Sequence, residues 1–379
     1  MNFISDNAVG VAPEIMEALA QANHGPSMPY GADDWSKRVE RRLAEIFERN
    51  VRVFPVATGT AANALSLAAL APPYGSIYAH EEAHVMVDEC GAPELFSGGA
   101  KMRPLPGAHG KLTAETLDRA LAHGQSNDVH QVIPAVISVT QATEAGTVYQ
   151  PAELQAIAEV ARRHKVRVHM DGARFANAMA FLGVPARQVT WEAGIDVLSF
   201  GATKGGAMAA EAVVFFDHAV AESFGHRRMR GGHLVSKMRF VSAQLEAYLA
   251  DGLWLKLARH ANAMAQRLAQ GLAAIPGVRL LHQVDVNELF VEMPQSMIAG
   301  LRQAGFMFYD WQMYPIDPGQ LIAQMPQPVI AGLRQAGLDL QNWKQEGKPS
   351  IRLVTAFNTE VASVELLLKT AGELASRAA

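Results

Sequence analysis

The sequence predicts an α/β protein: a mostly parallel sheet with helices on both faces, followed by a smaller α+β unit. Three observations predict it. From about residue 51, short apolar and β-branched runs alternate with stretches of helical spacing, the pattern of strands buried on both faces. Residues from roughly 226 to 276 lose the strand pattern and keep helical periodicity. After Pro276, strands and helices alternate again in a shorter segment.

Taken in order, VRVFPV (51–56) is a strand and TGTAANALSLAAL (58–70) a helix. SIYA (76–79) and VIPAVISV (132–139) are strands, and PAELQAIAEVARRHK (151–165) is a helix. VRVHM (166–170) returns as a strand, ARFANAMAFLG (173–183) as a helix, and DVLSF (196–200) and EAVVFF (211–216) as strands. LWLKLARHANAMAQRLAQGLAAI (253–275) is a long amphipathic helix joining the two units. VRLLH, NELFVEM, FMFYDW and SIRLVTAF supply the strands of the second unit. The division is expected at residue 250, giving a large domain over 1–250 and a small one over 251–379.

Composition narrows the function classes. With 379 residues, 49% of them hydrophobic, the chain can bury a large core. Lys and Arg number 33 against 37 for Asp and Glu, a net charge of −4, which gives no broad electrostatic case for nucleic acid or anionic membrane. One cysteine, Cys90, excludes an intrachain disulfide and suits a reducing compartment. The start, MNFISDNAVG, lacks a basic segment followed by an apolar one, so a soluble cytoplasmic protein is expected.

One pattern stands outside this scheme. MPQSMIAGLRQAG (293–305) recurs as MPQPVIAGLRQAG (325–337), differing at two of thirteen positions. A single repeat cannot build a solenoid. We expect a tandem duplication in which one copy occupies the structural place and the other makes a surface excursion around residues 306–337.

Four segments end apolar strands with chemically capable residues. In VATGTAAN, Thr58, Gly59 and Thr60 open a helix, whose free N–H groups and neighbouring hydroxyls make an anion cradle. His84 follows the strand SIYA, and Asp171 ends VRVHM with Arg174 just beyond it. Lys204 follows DVLSF among Gly201, Thr203, Gly205, Gly206 and Ala207. In a parallel sheet all four fall at the carboxyl ends of strands, where such folds bind ligands. A phosphate cradle, an imidazole, a carboxylate and a lysine at one sheet edge are the contacts pyridoxal 5′-phosphate requires: covalent attachment at the lysine, a carboxylate on the ring nitrogen, a helix start for the phosphate, and a flat side chain over the ring. On this reading the small residues around Lys204 leave room for the flat cofactor.

SDNAVG (5–10), PYGADDW (29–35), TGTAAN (58–63), AHVMVDECGAPE (83–94), HMDGARF (169–175) and FGATKGG (200–206) together resemble the low-specificity L-threonine aldolases, within the fold-type I β-eliminating lyase group. The resemblance implies a large domain with a mostly parallel seven-stranded sheet and a smaller α+β C-terminal domain. It implies that Lys204 binds the cofactor, Asp171 pairs its ring nitrogen, Arg174 lies near the cofactor oxygen and the substrate carboxylate, and His84 stacks on the ring and assists proton removal. Thr58, Gly59 and Thr60 match the phosphate loop, and Ser5, Arg174 and Arg352 the residues that hold the substrate carboxylate. The implied reaction is retro-aldol cleavage of L-threonine, L-allo-threonine or phenylserine to glycine and an aldehyde. Fold-type I enzymes share sites between subunits, so a homodimer or homotetramer is implied, with Tyr30 offered to a neighbour's site. No metal is implied. Many relatives carry a further histidine where SVTQATEAG (138–146) has Gln141, Thr143 and Glu144, so its task must be met differently here. Alternative outcomes on the same scaffold are transamination, β-elimination or racemisation, and a relative that binds the cofactor without turnover.

Overall fold

The computed structural model describes residues 1–124, 128–311, 325–335 and 349–378. Its large sheet has seven strands: β1 (Arg52–Val56), β2 (Gly75–His80), β3 (Lys101–Leu105), β4 (Ile133–Thr140), β5 (Arg167–Gly172), β6 (Val197–Gly201) and β7 (Glu211–Phe215). They lie in the order β1-β7-β6-β5-β4-β2-β3. Only β7 runs against the rest, pairing antiparallel with both β1 and β6. The expected α/β architecture with a mostly parallel sheet is therefore present. Strand β3 is an addition to the sequence reading: KMRPL carries Lys101, Arg103 and Pro104, and such residues are tolerated because β3 is an edge strand bonded only to β2.

The smaller sheet comprises β8 (Arg279–Leu280), β9 (Glu288–Glu292), β10 (Tyr309–Trp311) and β11 (Ser350–Val354), in the order β10-β11-β9-β8 with every pair antiparallel. Helix Leu253–Ala273 serves both layers. Its Trp254 and Leu257 join the core beneath the large sheet, whereas Ala265, Leu268 and Leu272 join the core of the small one. The extreme N-terminus belongs to the second core. Phe3 is fully buried there, its N–H donating to the Met307 carbonyl at 2.9 Å and its own carbonyl accepting from Val354 N–H at 2.9 Å. That anchor carries Ser5 and Asp6 to the junction between the sheets.

The two repeat copies part company. Helix Gln295–Gln303 buries Met297, Ile298 and Leu301 in the small-domain core, so the first copy holds the structural place. Helix Gln327–Gln335 buries Ile330 alone and otherwise exposes or half-exposes its residues. Residues 312–324 and 336–348 of the expected excursion and its return lie outside the described residues.

Candidate active site

The parallel strands end on one side of the large sheet, and a cavity of about 380 Å³ opens there. Thr58, Gly59 and Thr60 reach it from beyond β1, His84 from beyond β2, Glu144 from beyond β4, Asp171 and Arg174 from β5 and the turn after it, and Lys204 from beyond β6. Strand β7 runs the other way, so its first residue, Glu211, comes to the same edge beside Val56 and Gly201. Seven sequence-predicted site residues thus line one cavity. Ser5, Tyr30 and Arg352 do not.

Lys204 is half-buried and makes no hydrogen bond or salt bridge among the described residues. The small residues beside it answer to packing as well as to ligand space. A Cβ on Gly205 would sit 2.0 Å from the Tyr248 hydroxyl oxygen, and one on Gly201 would sit 2.5 Å from the Ala173 carbonyl. These two glycines are required because the protein's own atoms already fill the space, which corrects the expectation that they simply leave volume for a ligand.

Asp171 is buried, 3% exposed, and fully engaged. Its Oδ2 accepts from Asn63 Nδ2 at 2.7 Å and its Oδ1 from Ala173 N–H at 2.9 Å. The same Asn63 amide donates to Glu89 Oε1 at 2.8 Å, and Glu89 Oε1 lies 2.9 Å from His84 Nδ1. Asn63 stands one turn into helix Gly59–Leu70, on its inward face, where it can bridge two carboxylates. Glu89 raises the pKa of the imidazole it holds, against the opposing effect of burial. Burial pushes Glu89's own carboxyl up, so the pair holds a proton more tightly than two free groups would. Neither Asn63 nor Glu89 was singled out from sequence; the usable sign was their spacing, four residues beyond Gly59 and five beyond His84.

At the start of helix Gly59–Leu70, Thr58 caps the first turn by accepting from Ala61 N–H at 3.2 Å. Among the described residues no atom outside the local chain lies within 4 Å of where a Cβ on Gly59 would stand, so the cradle is open to an anion.

The arginines sit in a second cluster alongside. Arg174 grips Asp6 with two bonds, Nε to Oδ2 at 2.8 Å and Nη2 to Oδ1 at 3.1 Å, and its Nη1 lies 3.0 Å from Glu288 Oε2. That last contact is an ion pair without hydrogen-bond alignment. Arg352 Nη1 meets the other Glu288 oxygen at 3.3 Å, and its buried Nε has no acceptor among the described residues. Ser5 uses its hydroxyl to accept from Asn7 N–H at 3.1 Å. Tyr30, at φ 57° and 54% exposed, lies on the surface with its N–H donating to Ser236.

These residues fit pyridoxal 5′-phosphate: an amine with no hydrogen bond or salt bridge among the described residues, a buried carboxylate held in place by two donors, an imidazole fixed by Glu89 and an open helix start share one cavity. Comparison with known proteins points the same way. The β-eliminating lyase family model matches residues 2–296. The chain is 45% identical over 307 residues to the low specificity L-threonine aldolase of Pseudomonas sp. (strain NCIMB 10558), covering 81% of this chain and 88% of the relative. It is equally 45% identical over 308 residues to the low specificity L-threonine aldolase of Pseudomonas aeruginosa, with the same coverage. The solved structure of Leishmania major threonine aldolase superposes with a TM-score of 0.85 at 27% identity, covering 99% of both chains.

Proposed function

The chain belongs to the β-eliminating lyase family, and from that premise we infer a pyridoxal 5′-phosphate-dependent aldolase that cleaves threonine-type β-hydroxy-α-amino acids to glycine and an aldehyde. It is a carbon–carbon lyase acting on a small amino acid. The observation that carries the reading is the pairing of an unpartnered Lys204 with a buried, doubly held Asp171 on one cavity wall.

Bound in this cavity, the cofactor supplies an electron sink for the bond broken at Cα. Lys204 would hold its aldehyde carbon, and Asp171 its ring nitrogen. Asn63 and Ala173 keep the Asp171 carboxylate aimed, which is what a charged hydrogen bond to a ring N–H requires. Gly59 and Thr60 would take the phosphate on the helix start. His84 would cover the ring face, with Nδ1 fixed by Glu89 and Nε2 left for the substrate and for assisting proton removal. Arg174 and Arg352 would hold the substrate carboxylate, a task for which the guanidinium fork is suited, and Ser5 would support them.

Assembly and location extend the same proposal. We place the chain in the cytoplasm; no helix among the described residues is long and apolar enough to cross a membrane. We propose a homodimer or homotetramer with shared sites. Met208, on the cavity wall, is 52% exposed, Tyr30 is 54% exposed and Met28 66%, apolar surface that a second subunit would cover. We put the division between large and small domains at residue 250.

The test is incubation of the cofactor-loaded enzyme with L-threonine, L-allo-threonine and phenylserine. Glycine and the matching aldehyde should appear in equal amounts. A keto acid, ammonia release or a D-amino acid in their place would assign one of the other reactions this cofactor supports.

A further inference from the structure

The cavity holds a carboxylate with no task so far. Glu144 Oε1 accepts from the backbone N–H of His84 at 2.8 Å, which ties the side chain to the turn that carries His84. Its other oxygen, Oε2, is buried and meets no donor in hydrogen-bond geometry among the described residues. Thr140 and the residue's own backbone amide lie close enough to favour the ionised form, though neither meets Oε2 in hydrogen-bond geometry. A buried carboxylate oxygen with nothing to accept from is costly, and such an oxygen in a ligand cavity marks a donor that arrives with the ligand. The threonine-type substrate brings such a donor, its β-hydroxyl.

We propose that Glu144 is a further catalytic residue, its Oε2 accepting the proton of the substrate's β-hydroxyl as the Cα–Cβ bond opens. The step balances without another reagent. The O–H bond breaks and its proton goes to Oε2; the electron pair left on oxygen becomes the second C–O bond of the aldehyde. The Cα–Cβ pair passes to Cα, and a proton returned there completes glycine.

The surroundings tune the group for this work. Burial pushes the Glu144 carboxyl up to about 7, with the Asp171 charge adding to the rise and the His84 N–H bond opposing it. The charged groups facing it are His84, Asp171 and Arg174, with Lys204 on the same cavity wall and Tyr149 behind. A base poised near the working pH combines a useful ionised fraction with driving force for the transfer. His84 is less available to accept it, because its bond to Glu89 raises its affinity for a proton and so favours an imidazole that already carries one. This division deepens the aldolase reading and rests on it: His84 covers the ring and assists from Nε2, and Glu144 takes the proton.

The experiment compares wild type, Glu144→Gln and Glu144→Asp as cofactor-loaded enzymes. In Glu144→Gln, kcat for L-threonine should fall by about 10² to 10⁴, while cofactor absorbance and melting temperature stay near wild type. The fall of kcat/KM below about pH 7 should vanish with it. Glu144→Asp should restore that acid limb at reduced kcat, and it decides the matter if the glutamine variant does not fold. A readout independent of turnover is the infrared carbonyl band of a protonated carboxylic acid. It should titrate near pH 7 in the difference spectrum between wild type and Glu144→Gln, and persist in His84→Asn. Wild-type kcat in Glu144→Gln, an unchanged acid limb, or no titrating band in the difference spectrum would each overturn the proposal. If wild type itself makes no glycine while the infrared band is present, the aldolase reading fails and takes this role with it.

Discussion

Two neighbouring regions treat buried charge in opposite ways. In the junction between the sheets, Asp6, Arg174, Glu288 and Arg352 satisfy one another's charges. Burial alone would raise Asp6, but the charges of Arg174 and Lys204 and bonds from Arg174 and Asn287 outweigh it and hold the carboxyl below its ordinary value. Arg174 moves the complementary way, raised by Asp6 and Glu288 against the pull of burial. In the cavity alongside, neither Glu144 nor Glu211 has a salt bridge among the described residues, and burial pushes both up to about 7. Lys204 there acts on Asp6 and Glu211 only through its charge and makes no hydrogen bond or salt bridge among the described residues. The first group is balanced before any ligand arrives; the second is not.

Lys204→Ala separates the two regions most sharply. The cofactor should no longer attach covalently, so the visible absorbance of the loaded enzyme disappears and turnover falls to background. Because Lys204 makes no hydrogen bond or salt bridge among the described residues, the cofactor-free variant should keep its stability to within about 0.5 kcal/mol. Urea titration of wild type and variant, both stripped of cofactor, measures this. A loss of several kcal/mol would mean that Lys204 is a structural charge after all.

Glu288→Ala makes the converse cut. Glu288 has only 1% of its side chain exposed and lies between two arginines. Removing one partner from a buried pair costs about 3–5 kcal/mol, because the charge left behind stays desolvated. Arg174 keeps Asp6, so the lower end applies, and Arg352 is the residue left uncovered. Cofactor absorbance at low temperature should persist, with denaturant midpoints shifted well below wild type. An unchanged midpoint would show that the arginines need no internal counter-ion.

The same contrast explains what the sequence made legible. Lys204, Asp171 and His84 could be recognised because each follows an apolar strand, and parallel strands bring their ends to one edge by topology alone. Glu211 escaped that logic: it begins β7, the one antiparallel strand of the large sheet, and apolar runs do not disclose direction. Asn63 and Glu89 escaped because their importance lies in bridging Asp171 to His84, a contact across 108 residues of sequence for Asn63. Asp6 looked like part of a motif and proved to be the counter-ion of Arg174. β3 was hidden because an edge strand tolerates the charges and proline that argue against a buried one. The repeat shows the limit most plainly. Ile298 and Leu301 join a core while the same residue types recur in a helix that buries Ile330 alone, so the local sequence cannot say which copy the core has chosen.

The smallest effect is also the one that compares the regions within a single measurement. Glu211 has a folded-state pKa of about 7, above its ordinary 4.5, so between those values the folded chain binds a proton that the unfolded chain has released. Stability from this group is therefore fully present below about pH 4.5 and declines as pH rises toward 7. Asp6 runs the other way. Its folded value lies below 3.8, so its contribution is present above that pH and is lost as pH falls through the folded value. Glu211→Gln should leave the acid limb set by Asp6 unchanged and flatten the decline between about pH 4.5 and 7, by about 3 kcal/mol at most for a shift of that size. Glutamine keeps an oxygen for the Ala202 N–H that Glu211 now accepts at 2.8 Å, so the fold retains that bond. Denaturant midpoints of the cofactor-free proteins at half-unit steps of pH give both limbs at once. Parallel profiles for wild type and variant would mean that Glu211 stays ionised in the fold, and that the cavity supplies it with more counter-charge than its hydrogen bonds reveal.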